Sequence, residues 1–441
     1  MRKYFADYIL TSANASPSFP AFIKGGMLIA DEKSGNILSV QSAQGGNKNA
    51  ENAKTNWKTG GKEYKTVIIP GFINAHMHTD ITFKPDSDTP RIFSKWVLSV
   101  IEKRKILTQE EKTGLRIKAF KESVESGTTV AGDIICLDSF YDMGEIRFRR
   151  ALAPRVKGFI ELRGIDPSAA GKKIDEFKIF FENRASIFGE TEKYFSTGIS
   201  PHSIYSVSGN LFKEIRKISR KLGFKTVIHA SEHFAETQYI SGKGGDIAEN
   251  LLPALGFSGF SKPEIYFPSP VFYLNYLKML NKNVSLIHAN EISVEEIDII
   301  KESGADIIHC PRSNDFFSSK KLPLKKILEK GISVSLGTDG LYSNQSLSIL
   351  DELKFARKIH PEVKPKDLFY SATQGGARTL SFKGVSGVLK PGSYADFIIF
   401  KAGKNALLNE DNIYDEVLSF DKPDILSVVI GGETVYAQNC R

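Results

Sequence analysis

The chain has little cysteine. Cys136, Cys310 and Cys440 stand far apart in 441 residues. An odd, scattered set excludes a disulfide framework and a CxxC zinc site, and it points to a reducing compartment. No apolar run reaches the roughly 18 residues that would suggest a bilayer-spanning helix. The N-terminus, Met1-Arg2-Lys3-Tyr4-Phe5-Ala6-Asp7, meets an acid before any apolar stretch forms. A secretory signal is therefore not expected, and a cytoplasmic location is. Net charge is +8, yet no basic block with interleaved aromatics exists, which argues against a nucleic-acid partner. The charge is spread along amphipathic segments. It fits a solvated surface or a pocket that receives an anionic substrate. Internal repeats and low-complexity linkers are also missing. What remains is ordinary globular composition, 41% hydrophobic and 25% charged.

Residues 1–65 read as β-rich, with short apolar runs at 8–10 and 26–30 and an exposed loop, rich in Gly, Asn and Lys, over 42–62. From residue 66 short apolar runs alternate with longer amphipathic stretches. The runs lie at 66–74, 128–134, 155–161, 195–200, 225–230, 284–289, 305–310 and 332–338. Glycines at 127, 223, 304 and 331 sit where helices should end, as left-handed caps do. Eight strand–helix units predict an α/β fold, a (β/α)8 TIM-type barrel over 66–384. A doubly wound sheet would be expected to bring a Gly-rich phosphate loop after its first strand, and His76-Met77-His78 stands there instead. Beyond 384 the β-rich pattern returns, with strands near 395–400 and 427–430. One small β-sandwich domain built from 1–65 and 385–441, interrupted by the barrel, is the expected organisation.

Barrel enzymes carry their chemistry at the C-terminal ends of the strands. Side chains two apart on a strand leave the same face, so His76 and His78 can aim at one atom and supply half a metal site. The later strand ends bring His202, then His229 and Glu232, then His288, then His309, and finally Asp339. Counting His233, seven of the eight histidines fall at these ends, and His360 is the exception. Three imidazoles and a carboxylate leave room for a water on a divalent ion. A carboxylate three residues after a ligand can move that water's protons. The H-x-E…P-C-x-x-C pattern of base-editing zinc deaminases is absent.

With Pro70-Gly71-Phe72-Ile73-Asn74-Ala75-His76-Met77-His78, His229-x-x-Glu232, His288-Ala289, His309-Cys310-Pro311-x-Ser313-Asn314 and Gly337-Thr338-Asp339-Gly340, the chain resembles the amidohydrolase superfamily. The likeness is to its cytosine-deaminase-like and chlorohydrolase-like branch, and it covers essentially the whole chain. The resemblance implies one divalent metal, zinc or alternatively iron, on His76, His78, His229 and Asp339. It implies that His288 stands beside the metal's water and that Glu232 shuttles protons, with Glu232, His288 and Asp339 as the catalytic set. Strand 4 runs straight into Pro201-His202. The Lys that carries a bridging carbamate in binuclear relatives is therefore missing, and a single metal is expected.

The loops set the substrate. Trp96 can cover an aromatic ligand face, Arg104 can meet a carboxylate, and Glu161 can bond a ribose or ring nitrogen, with Arg163 beside it. His202 resembles a substrate-facing histidine of the nucleoside-deaminating branch, and Asn314 and Ser343 complete the expected substrate contacts. Ser94 and Lys95 replace the Glu that S-adenosylhomocysteine and adenosine deaminases commonly carry before the Trp. The run Trp96-x-x-Ser99-Val100-Ile101-x-x-Arg104, with Thr338-Asp339-Gly340-Leu341-x-Ser343-Asn344, is more similar to the aminodeoxyfutalosine deaminases of the futalosine menaquinone pathway. The resemblance thus implies a C–N hydrolase that releases ammonia from a purine nucleoside, 6-aminodeoxyfutalosine first. S-adenosylhomocysteine, methylthioadenosine, adenosine, guanine or a chlorinated ring are the alternatives, as is a binding protein on a catalytically dead barrel. A small molecule is the expected partner, without nucleic acid or membrane; a homodimer is left open.

Overall fold

The computed structural model describes residues 1–14, 19–43, 64–136, 154–188 and 194–438. The loop expected over 42–62 therefore lies, from 44 onward, outside the described residues, as does Cys440. Two sheets organise the chain. The first holds β1 (Arg2–Leu10), β2 (Phe22–Ala30), β3 (Ile37–Ser42) and β4 (Lys65–Pro70). The second holds eight strands, β5 (Phe72–Met77), β6 (Thr128–Cys136), β7 (Arg155–Leu162), β8 (Phe195–Pro201), β9 (Thr226–Ala230), β10 (Val284–His288), β11 (Asp306–His309) and β12 (Val334–Leu336). The chain then returns to the first sheet with β13 (Phe397–Ala402), β14 (Ile425–Ile430) and β15 (Glu433–Ala437). Strand order there is β15-β14-β13-β4-β1-β2-β3. Both chain ends thus build one mixed seven-stranded sheet.

The eight-stranded sheet is parallel throughout and runs in sequence order. Its two edges meet where Met77 bridges Asp339 and the Thr338 N–H donates to the His76 carbonyl at 2.9 Å. Gly337 permits that closure, since a Cβ there would lie 2.8 Å from the His76 Cβ. The barrel interior is filled by Ile73, Val130, Phe159, Val227, Ile287 and Ile308 with their neighbours, so it is a packed core rather than a channel. Helices cover the outside. Gly209–Leu222 starts on a Ser208 cap, Val294–Ser303 on a Ser293 capping box, and they end on Gly223 and Gly304 at φ 69° and 75°. The capping glycines read from the sequence all have positive φ, as a left-handed cap requires.

The run expected as one strand over 66–74 is two. β4 pairs with β1 and β13, whereas β5 pairs with β6. The break falls at Gly71, whose N–H donates to the Asp396 carbonyl. A Cβ on Gly71 would stand 2.2 Å from Thr129 Oγ1, so the change of sheet needs a glycine there. The apolar run is unbroken because β4 is buried on both faces. Val67 and Ile69 join the large core that surrounds the barrel, while Ile68 joins the smaller core inside the seven-stranded sheet. β13 alternates likewise, Ile398 and Phe400 to the large core, Phe397 and Ile399 to the small one. A buried ion pair adds a polar tie: Arg155, which opens β7, holds Asp396 at 2.9 Å, and Asp396 also accepts from the Gly431 N–H at 2.7 Å.

Candidate metal and catalytic site

The strand ends converge as the sequence pattern requires. His78 Nε2 lies 3.4 Å from His229 Nε2. Asp339 Oδ1 lies 3.4 Å from His76 Nε2 and 3.6 Å from His78 Nε2. Four ligands about 2.0–2.1 Å from one tetrahedral ion are separated by about 3.4 Å, so these spacings fit a single divalent cation. Two further observations support the fit. Neither ring nitrogen of the buried His76 has a hydrogen-bond partner among the described residues, and such orphaned atoms are rare without an ion or water. His229 Nδ1 is 3.2 Å from the His202 carbonyl. A carbonyl only accepts, so Nδ1 carries the hydrogen and Nε2 offers its lone pair to the cluster.

Protonation states suit the same role. Burial pulls the His76 imidazole down to about 4 and holds His229 well below its ordinary value, so both are neutral donors near pH 7. Burial alone would raise Asp339, but the surrounding histidines overcome it and keep the carboxylate well below its usual range. Ser313 and Ser343 donate to its Oδ2 at 2.7 and 2.8 Å, which leaves Oδ1 for the cluster. Asp339 and His288 both adopt positive φ, 59° and 73°. Such backbone costs about 1–3 kcal/mol per non-glycine residue and is typical of sites where a side chain must be aimed.

Glu232 follows β9 by two residues. Burial, with Asp339 adding to it, pushes its carboxyl up to about 8. Its Oε1 lies 3.7 Å from His288 Nε2. Both groups, with His78, His202, His229 and Asp339, line the floor of a cavity of about 470 Å³, within the size range of small-molecule sites. The outer wall is mostly apolar: Phe93, Val97 and Val100 on one side, Leu251, Leu255 and Phe257 on the other.

The residues expected at the substrate divide into two groups. Trp96, Arg104, Arg163 and His202 line the cavity. Trp96 is braced by its indole N–H to the Tyr342 carbonyl at 3.3 Å and by stacking on the Tyr342 ring. Arg104 pairs with Asp80 at 2.9 Å and Arg163 with Glu161 at 2.6 Å. Glu161, Asn314 and Ser343 lie outside the lining. Glu161 is buried beneath the wall against Arg163 and 3.4 Å from the Cys136 thiol. Asn314 stands behind His288, its Oδ1 2.8 Å from Nδ1, and Ser343 stands behind Asp339. In this structure all three side chains meet other site residues.

Thr79 and Asp80 directly follow the strand-end histidines. Thr79 donates through its N–H and Oγ1 to the buried Asp133 at 3.0 and 2.8 Å, and Asp80 anchors Arg104. The 251–257 segment, whose apolar side chains form the far wall, lies away from the strand ends, and the Leu251-Leu252 pair and Phe257 are its signal in the sequence.

Comparison with known proteins gives the same picture. A 5-methylthioadenosine/S-adenosylhomocysteine deaminase of Thermococcus onnurineus is 29% identical over 386 residues, spanning 84% of this chain and 82% of that one. The crystal structure of Helicobacter pylori aminofutalosine deaminase in complex with methylthio-coformycin superposes with a TM-score of 0.77 at 22% identity, covering 99% of this chain and all of that chain (100%). An adenosine deaminase of Xanthomonas campestris with bound zinc follows at a TM-score of 0.73 and 18% identity, covering 98% and 92%. The model of the Amidohydrolase family matches residues 67–435, from the second half of β4 into β15. That match takes in every strand end described above, and the protein is accordingly a member of the amidohydrolase family and a hydrolase of carbon–nitrogen bonds.

Proposed function

We propose that the protein hydrolytically removes the 6-amino group of an adenine nucleoside that carries an aromatic carboxylate at its 5′ side, 6-aminodeoxyfutalosine, as a step of menaquinone biosynthesis. The observation that carries this reading is the placement of Glu232 and His288 against the His76, His78, His229 and Asp339 cluster, on the floor of a cavity with an apolar outer wall and two arginines. His76, His78, His229 and Asp339 would hold one divalent ion. When bound, it would supply Lewis acidity and lower the pKa of a water toward about 7.

The chain's own groups account for the protons. Glu232, whose carboxyl burial raises above its ordinary value, passes a proton to the ring nitrogen beside the amino-bearing carbon while water adds to that carbon. It recovers a proton from the same water. Asp339, its Oδ2 already held by two serines, carries the water's remaining proton to the amine, which leaves as ammonia. One proton of water therefore ends on the ring nitrogen and the other on the departing amine. Trp96 and the apolar wall take the aryl group. A guanidinium has five donors, so Arg163 can keep Glu161 and still meet a carboxylate.

A second reading rests on the curated relatives. Methylthioadenosine, whose 5′ substituent is small and apolar, suits the same wall and leaves both arginines to their present partners. Ammonia release decides between them. The panel is 6-aminodeoxyfutalosine, methylthioadenosine, S-adenosylhomocysteine, 5′-deoxyadenosine, adenosine and guanine. The highest kcat/KM on 6-aminodeoxyfutalosine is expected. A tenfold or greater preference for methylthioadenosine selects the second reading, and no ammonia from any of them removes both.

A further inference from the structure

Behind the cavity floor, five polar side chains form a line that leads away from His288. Its Nδ1 is 2.8 Å from Asn314 Oδ1. Asn314 Nδ2 is 2.8 Å from Asn290 Oδ1 and 3.3 Å from His309 Nδ1. Asn290 Nδ2 is 3.3 Å from the Glu232 carbonyl. His309 Nε2 is 3.3 Å from His360 Nε2, and His360 Nδ1 is 3.6 Å from Glu362 Oε1. Asn290, Asn314, His309 and His360 are all buried. Glu362 is not, with 42% of its side chain exposed.

The Glu232 carbonyl at one end of this line can only accept, and this fixes the direction of the bonds that lead to His288; the Glu362 carboxylate at the other end biases the rest in the same sense. From one end, the Glu232 carbonyl requires the Asn290 amide nitrogen to face it. Asn290 Oδ1 then faces Asn314 and demands a donor, so Asn314 presents Nδ2 there and Oδ1 to His288. From the other end, the Glu362 carboxylate stands 3.6 Å from His360 Nδ1, an ion-pair distance, and its charge favours the hydrogen on that nitrogen. His360 Nε2 must then accept, so His309 donates from Nε2 and accepts at Nδ1, which again requires Asn314 Nδ2. The two derivations meet on one orientation of Asn314. The result at the cavity is a His288 with its hydrogen on Nδ1 and its lone pair on Nε2, toward Glu232.

We infer that Asn290, Asn314, His309, His360 and Glu362 are positioning residues for the reaction: they hold His288 in the tautomer that can accept a proton on the Glu232 side. The same network grips the Glu232 backbone through Asn290, so it sets both groups at once. The inference rests on the reading of Glu232 and His288 as the proton-handling pair. It explains why a histidine far from the strand ends, His360, is buried at the back of the site, and why Asn314 faces away from the cavity.

The test is 15N spectroscopy of histidine-labelled, zinc-loaded and zinc-free protein, with His288 assigned by difference against His288→Gln. In the unaltered protein His288 shows a protonated Nδ1 and an unprotonated Nε2. Asn290→Leu together with His360→Phe removes both groups that orient Asn314, and in this double variant His288 is expected to become a mixture of tautomers. On whichever nucleoside the panel identifies, its kcat per bound zinc falls roughly tenfold or more, with KM within twofold. His360→Phe alone, in which Asn290 still orients Asn314, keeps the Nδ1 tautomer and guards against a misfolded double variant. An Nε2-protonated His288 in the unaltered protein overturns the inference. So does an unchanged His288 spectrum in the double variant. The spectra are read without substrate, so failure of the proposed substrate leaves this result standing.

Discussion

His288 Nε2 stands 3.7 Å from Glu232 Oε1 at the floor of the cavity, and the two groups reach that meeting point from different strands, β10 and β9. Each lies on the far side of a buried hydrogen-bond partner: Asn314 behind His288, Glu236 behind the Glu232 backbone. The two groups, the proton-handling pair of the proposed reaction, are thus held from behind and face the cavity. Preorganisation of this kind is where enzymes gain most of their electrostatic advantage.

Glu232→Gln keeps the shape of the floor and removes its proton carrier. The variant is expected to bind metal as the parent does and unfold at the same temperature, within about 2 °C. Its kcat should fall by about 10²–10⁴. Zinc content and steady-state ammonia release check this together, and wild-type turnover in Glu232→Gln would remove Glu232 from the mechanism.

The His76, His78, His229 and Asp339 cluster predicts a dependence on a divalent ion. Prolonged dialysis against a chelator should abolish ammonia release, and one equivalent of zinc or ferrous iron should restore it. Bound ion at about 100 times its Kd adds about 2.7 kcal/mol of stability, a rise in Tm of about 3 °C. Asp339→Asn should lose both the stoichiometric metal and the thermal shift. Two equivalents of tightly bound metal per chain would contradict the single-ion reading.

Arg163→Lys retains a positive partner for Glu161 but not the planar fork that grips a carboxylate. KM for a carboxylate-bearing nucleoside should rise about tenfold, the value of one charged hydrogen bond. KM for methylthioadenosine should stay within about twofold. Equal losses on both substrates would show that Arg163 supports the wall rather than reads the ligand.

Glu236 makes stability depend on pH. Its Oε1 accepts from the Glu232 N–H at 2.7 Å, while its buried Oε2 has no partner among the described residues. Burial pushes the carboxyl up to about 8 from an ordinary value of 4.5. Between those values the folded chain holds a proton that the unfolded chain has released. Stability from this group is therefore present below about 4.5 and is lost as pH rises toward 8. Urea unfolding of metal-free protein at pH 5.5 and 8.0 should show Glu236→Gln gaining on the parent at the higher pH. A difference that does not change with pH would mean that Glu236 titrates normally.

Much of this was legible in the sequence. The barrel is written in the spacing of apolar runs and capping glycines, because a parallel strand buried on both faces has to be apolar and a helix returning to it has to stop. The six strand-end groups on the cavity floor are legible for the same reason, since each closes a strand or follows it by at most a few residues. The change of sheet at Gly71 is not. Val67, Ile68 and Ile69 look alike in sequence, and only the second sheet reveals that alternate residues serve different cores. The motifs that contain Asn314 and Ser343 point to the ligand without showing which way the side chains turn. Their side-chain directions depend on His288 and Asp339, partners 26 and 4 residues away. His360 gave no signal, because it pairs with His309 across 51 residues from the end of an amphipathic helix.

The register of β4 against β13, Ile69 beside Ile398, has a consequence for synthesis. A ribosome adds about 5–20 residues per second. On the order of 20–60 seconds therefore separate the appearance of β4 from that of the strand that covers its edge. Through that interval β4 offers an unpaired, apolar edge, the kind of template on which chains associate wrongly. The growing chain can complete all eight barrel strands before β13 emerges, so the barrel's supporting sheet is finished last. Nascent chains stalled before residue 397 should be the form that chaperones hold.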